Sequence, residues 1–139
     1  MKRVLIVLLL MLAGYGGYLV GQVRPLDYSQ ELNQRAYKDI QDQNLQLVFY
    51  KRTCPYCQVA KKVVLKSTQV SPYTTFFVDV ETDEGQGLVR LFQVKKAATI
   101  VRIRKGKVTL FHYARKTAEG QIIPNQEVIE ATFAEGERP

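Results

Sequence analysis

Two cysteines, the only two in 139 residues, stand three apart in the segment Lys51-Arg52-Thr53-Cys54-Pro55-Tyr56-Cys57. At this spacing one sulfur can attack a disulfide and the other can then displace what the first has captured, so the pair supplies both steps of thiol–disulfide exchange. The attacking sulfur must be ionised, because the thiolate and not the thiol is the nucleophile. A helix beginning at Cys54 meets that need: its free N–H groups and partial positive charge favour thiolate over thiol and lower the pKa. Lys51 and Arg52 add positive charge nearby. Pro55 suits the first helical position, where its missing N–H would be unpaired anyway. Cys54 is therefore the attacking candidate, and Cys57, one turn in and more shielded, the resolving one.

This chemistry needs a strand before the pair and a helix after it. Leu45 to Tyr50 reads Leu-Gln-Leu-Val-Phe-Tyr, a short apolar run suited to a strand in the middle of a sheet. From Pro55 to Ser67 the spacing is helical, with Ala60, Val63 and Val64 inward and Lys61, Lys62 and Lys66 outward. Upstream, Leu32, Ala36 and Ile40 lie four apart and predict a helix over Tyr28 to Gln43, capped by Asp27 or Ser29. Downstream follow a strand at Phe76 to Val80, a helix at Asp83 to Phe92, and a strand at Thr99 to Arg104. The last of these enters a hairpin turn at Lys105-Gly106, with Val108 to Ala114 as antiparallel partner. Asn125 to Ala134 closes the chain as a helix between Pro124 and Gly136. The order α-β-α-β-α-β-β-α is that of an α/β domain: a central mixed sheet, covered by helices on both faces, with an antiparallel edge.

Other uses of two cysteines fit less well. A structural disulfide across two intervening residues would remove little unfolded-state entropy. Half a zinc site needs two further ligands, for which only His112 and carboxylates are on offer. Two unrelated buried cysteines would not require the flanking strand, Pro and helix. No cofactor and no metal are expected. His112 is read as a surface or half-buried side chain without a role.

Composition and charge set the context. With 46% hydrophobic and 24% charged residues and a net charge of +7, the chain is globular, and too poor in cysteine for a disulfide-stapled miniprotein. Val4 to Val20 are consecutive uncharged residues preceded by Lys2 and Arg3, which predicts a single-pass membrane helix with the rest of the chain on the extracytoplasmic side. A cleaved signal peptide is the competing reading, and both export the domain. Residues 1–23 are thus an anchor or signal segment and 24–139 one domain. Lys51 to Lys116 carries fourteen basic and four acidic residues. No recognition helix or stacking platform accompanies that charge, so nucleic acid is not an expected partner. Arg102, Arg104, Lys105 and Lys107 alternate along a strand and its turn as a solvated face, suited to anionic lipid or cell-wall polymer.

With strand, Cys-Pro-Tyr-Cys and helix in place, the chain resembles the thioredoxin-fold superfamily, from about Leu45 to Val108 most closely. Lys51 to Cys57 followed by Ala60-Lys61 is similar to the active-site segment of glutaredoxins. Phe92 to Ile100 and then Arg104 to Val108 follow the stretch in which thioredoxins carry a cis-proline, a strand and a hairpin turn. Ala98 stands where that cis-proline is expected, so the Ala97–Ala98 peptide should be trans, since cis costs about 2.5–4 kcal/mol before a non-proline residue. The resemblance implies a thioredoxin-like fold and a membrane-tethered thiol–disulfide oxidoreductase acting on exported or surface proteins of a bacterium, recycled by an unidentified redox partner. The Pro-Tyr dipeptide implies a potential of roughly −200 to −230 mV. Lys51, Arg52, Thr53, Pro55, Tyr56, Ala98 and Thr99 would support Cys54 and Cys57. Val48 replaces the buried acid of thioredoxins, so proton transfer from Cys57 must use water or another group. The glutathione-binding residues of glutaredoxins have no match. The alternatives are a non-enzymatic accessory domain of a secretion, conjugation or bacteriocin-export system, and a metal or iron–sulfur variant.

Overall fold

A computed structural model describes residues 44–134. The expected membrane segment, the helix over Tyr28 to Gln43 and the stop signal at Gly136 lie outside the described residues. Among the described residues no helix is long and apolar enough to cross a membrane.

The chain runs β1 (Leu45–Tyr50), α1 (Pro55–Val70), β2 (Thr74–Asp79), α2 (Asp83–Phe92), β3 (Thr99–Arg104), β4 (Lys107–His112), β5 (Ala114–Lys116), β6 (Ile122–Pro124) and α3 (Gln126–Phe133). Four strands form a mixed sheet in the order β2-β1-β3-β4, with β1 parallel to β2 and antiparallel to β3, and β3 antiparallel to β4. β1 is central because all six of its side chains are buried and none is charged. Its two-residue period sends Val48 and Tyr50 to one face and Leu45, Leu47 and Phe49 to the other. The first face packs on α1 through Cys57, Ala60, Val64 and Leu65 and on α3 through Ile129 and Phe133. The second packs on α2 through Leu88, with Phe92 edge-on to Phe49 at a ring separation of 6.4 Å. Each such fully buried aliphatic contributes about 1.5–3 kcal/mol.

α2 starts where it does because Thr82 both accepts from the Gly85 N–H (3.0 Å) and donates to the Asp79 carbonyl (2.9 Å). That carbonyl lies so close that a Cβ on Gly85 would come within 1.8 Å of it. Only glycine fits. At the β3–β4 turn, Lys105 and Gly106 take φ of 49° and 75°, the pair of positive angles that a two-residue hairpin needs.

Three expectations are corrected. β2 begins at Thr74 and ends at Asp79, two residues before and one before the strand read at Phe76 to Val80. The edge strand read at Val108 to Ala114 stops at His112. Tyr113, fully buried, donates its N–H to the Ala98 carbonyl (3.2 Å) and accepts from the Asn125 N–H (2.9 Å), which takes the chain off the sheet into a separate β5–β6 hairpin. The basic stripe on β3 is not uniformly solvated. Arg102 lies over the Phe111 ring at 5.0 Å, while Arg104 is buried, 3.4 Å from the Tyr73 ring centre, with Nη1 donating to the Leu45 and Ile103 carbonyls.

Candidate active site

β1 delivers Lys51 and Arg52 to the rim of the sheet, and α1 begins immediately after. Cys54 is its N-cap: φ and ψ are −78° and 119°, the carbonyl accepts from the Gln58 N–H (3.0 Å), and Sγ accepts from the Cys57 N–H (3.4 Å). The cap position of Cys54 and Pro55 at the start of the helix match the reading from the sequence. Cys54 is partly exposed and Cys57 buried, at 1% exposure, so substrate can reach only the first sulfur directly.

Cys57 is hydrogen-bonded to the Tyr113 hydroxyl, to the Cys54 sulfur and to the Lys51 backbone. Burial pushes its thiol up from an ordinary value of 9.0 to about 11; the Tyr113 hydrogen bond pulls the other way, and the Cys54 sulfur raises it further. The Tyr113 hydroxyl directs its proton to the Phe49 carbonyl (3.0 Å). Val48, where thioredoxins carry a buried acid, is packed in the core beside Cys57 and offers no proton acceptor. The side-chain hydroxyl that stands at Cys57 is that of Tyr113.

The two cations before Cys54 are committed elsewhere. Lys51 pairs with Glu81 (3.2 Å), and Arg52 Nε with buried Asp79 (3.4 Å), whose other oxygen accepts from the Glu81 N–H (3.0 Å). The Arg52 carbonyl accepts from Gln58 (2.9 Å). Arg52 thus clamps the loop before Cys54 to the end of β2, and contributes less free positive charge at the sulfur than its position in the sequence suggests.

On the other flank of Cys54 a cleft of about 570 Å³ is lined by Tyr56, Ala97, Ala98 and Ala114, with Lys96, His112, Arg115 and Lys116 around it. Among the described residues no peptide is cis, so the Ala97–Ala98 bond is trans as expected. The Ala98 loop is closed by its own backbone: the Ala97 carbonyl accepts from the Thr99 N–H (2.6 Å) and the Ala98 carbonyl from Tyr113. Thr99 is buried and does not line the cleft; its hydroxyl donates to the Lys96 carbonyl (2.7 Å), which makes His112 Nδ1 the donor in their 3.1 Å contact. Among the described residues no three His, Cys, Asp or Glu side chains cluster as metal ligands would.

The solved structure of the first thioredoxin domain of mouse protein disulfide-isomerase A4 matches with a TM-score of 0.50 at 18% identity, covering 83% of this chain and 84% of that one. This chain has the thioredoxin fold. Desulfothioredoxin of Desulfovibrio vulgaris Hildenborough, in its reduced form, gives a TM-score of 0.49 at 24% identity over 74% of this chain and 88% of its own. Trxlp of Edwardsiella tarda EIB202 gives 0.48 at 19% identity over 57% and 80%. No protein-family model and no curated protein matches the sequence.

On this thioredoxin fold, Cys54, Tyr56 and Ala98 of the expected site share one cleft, with Cys57 beneath. Lys51 and Arg52 turn to the opposite flank, Thr53 and Pro55 are exposed beside the cap, and Thr99 acts through Lys96 and His112. Tyr113, Lys96, Arg115 and Lys116 had no local signal. The Ala98 loop and the β5–β6 hairpin, both remote in sequence from Cys54, bring them there.

Proposed function

We propose that the protein is a thiol–disulfide oxidoreductase working through Cys54 and Cys57, held by residues 4–20 on the extracytoplasmic side of a membrane. The observation that carries the chemistry is the asymmetry of the pair: an accessible sulfur capping a helix over a buried thiol that keeps its proton. In the reducing direction the Cys54 thiolate attacks a substrate disulfide. The substrate S–S bond breaks, a Cys54–substrate disulfide forms, and one substrate thiolate leaves and takes up a proton. Cys57 then loses its proton and attacks Cys54 Sγ; the second substrate sulfur leaves, and a Cys54–Cys57 disulfide remains. Two electrons pass to the substrate, and a dithiol donor must restore the pair. The reverse sequence oxidises a substrate dithiol and needs a disulfide acceptor.

Disulfide exchange on insulin or a model peptide tests this, with Cys54→Ser as control. Turnover well above the control is expected, and turnover equal to it overturns the enzyme reading. The tether is tested by labelling single cysteines placed in residues 24–43 of intact cells with a membrane-impermeant thiol reagent. Labelling without lysis supports the orientation, and protection until lysis overturns it.

One observation favours a second reading, a non-enzymatic accessory domain of an export apparatus. The Ala97 and Ala98 carbonyls, in the loop beside the sulfurs, are both engaged internally. Each thus has one of its two acceptor sites already occupied and is a poorer partner for a substrate backbone. The same exchange assay separates the two.

A further inference from the structure

We propose that the cleft beside Cys54 selects disulfide substrates carrying acidic side chains next to the reacting cysteine. The inference rests on the exchange reaction proposed above and deepens it by naming the substrate class.

Charge placement carries it. Lys96, from the loop before β3, and Arg115 and Lys116, on β5, surround the cleft into which Cys54 opens, and no acidic residue lines it. Among the described residues none of these three cations is paired with a carboxylate. Of the four acids between Lys51 and Lys116, Asp79 and Glu81 neutralise Arg52 and Lys51, and Asp83 and Glu84 sit in the first turn of α2; Glu119, in the turn between β5 and β6, is exposed and does not line the cleft. Among the described residues, the cations before Cys54 are therefore compensated and those lining the cleft are not. The Lys96 backbone is also held in place, through its carbonyl, by buried Thr99.

Shape and polarity match a peptide. Tyr56, Ala97, Ala98 and Ala114 give the cleft an apolar floor of small side chains, where the aliphatic stems of a short extended segment can lie while its carboxylates face the rim. A concave, one-signed site raises the local concentration of opposite charge and speeds encounter, and its effect falls with ionic strength. The substrate is thus an acidic cysteine-containing peptide segment, seated with its disulfide over Cys54.

The test uses the full chain and three disulfide peptides that differ only in the residues flanking the cysteine: Glu, Gln or Lys. The expected exchange rates rank Glu above Gln above Lys, about tenfold from end to end at low salt, at roughly 1.5- to 5-fold per charge contact. The spread should shrink as salt is raised, and approach parity in the Lys96→Gln, Arg115→Gln, Lys116→Gln triple variant. Equal rates for the three peptides, all above the Cys54→Ser control, overturn the substrate class and leave the exchange reading standing. Rates no higher than the control overturn the exchange reading. Equilibrium binding of the same peptides to the Cys54→Ser, Cys57→Ser protein then decides the cleft: tighter binding of the Glu peptide, lost in the triple variant, supports it, and equal affinities overturn it.

Discussion

The hydroxyl of fully buried Tyr113 is hydrogen-bonded to Cys57, while its own proton is directed to the Phe49 carbonyl at 3.0 Å. With a single proton, this hydroxyl cannot donate to both groups. In the resting protein Cys57 is a thiol and the Phe49 carbonyl is the better acceptor. When Cys57 ionises to resolve a mixed disulfide, the hydroxyl is the group in place to turn and donate to the new thiolate. In the proposed exchange reaction Tyr113 would thereby be a positioning residue for the second step.

Tyr113→Phe is accordingly expected to slow resolution of the mixed disulfide and to move its pH profile to higher pH, because the larger of the two hydrogen bonds that lower the Cys57 pKa is gone and only the one from the Lys51 backbone remains. Attack by Cys54 on substrate should keep its rate. Losing the bond to Phe49 costs about 1 kcal/mol of stability. Stopped-flow measurement of the two steps across pH checks this. A profile that stays in place while only stability falls would assign Tyr113 to packing alone.

The exposure difference between the sulfurs predicts their reactivity. At neutral pH iodoacetamide should modify Cys54 in the folded, reduced protein and spare Cys57, which becomes reactive on unfolding. Cys57→Ser should accumulate a covalent complex with substrate through Cys54, seen by non-reducing electrophoresis, and Cys54→Ser should accumulate none.

The raised Cys57 pKa has a thermodynamic counterpart. The folded protein holds this proton more tightly than the unfolded chain, so the stability it contributes is fully present below pH 9 and is lost as pH rises through about 11. The reduced protein should lose stability over that interval relative to its Cys57→Ala variant, whose profile lacks this component. Thermal unfolding of both, from pH 8 to 11, measures the difference.

Gly85 and Asp79 join the site to the far helix. Gly85→Ala would drive a Cβ into the Asp79 carbonyl, and is expected to cost about 2–3 kcal/mol and to loosen the Arg52 clamp before Cys54. Asp79→Asn keeps the shape, removes the charge facing Arg52, and should cost less. Chemical denaturation ranks the two variants.

Most of the sheet and the reactive pair were legible because local rules govern them. β1, α2 and β3 have the boundaries read from apolar runs and turn residues. Cys54 occupies the cap that its distance from Pro55 requires. These features depend on backbone hydrogen bonding and two- or four-residue periodicity, which neighbouring residues determine. What surrounds the sulfurs depends on residues brought together from distant parts of the chain. Nothing near Tyr113 marks it as the neighbour of Cys57, since its role comes from leaving the sheet after His112. Nor does any local pattern say that Arg52 is neutralised while Arg115 is not. The amino-acid order alone determined which chemistry is available and where a helix would present it. Tertiary structure decided which charges stay uncompensated and which hydroxyl meets the buried thiol, because burial and ion pairing arise only when separate elements pack.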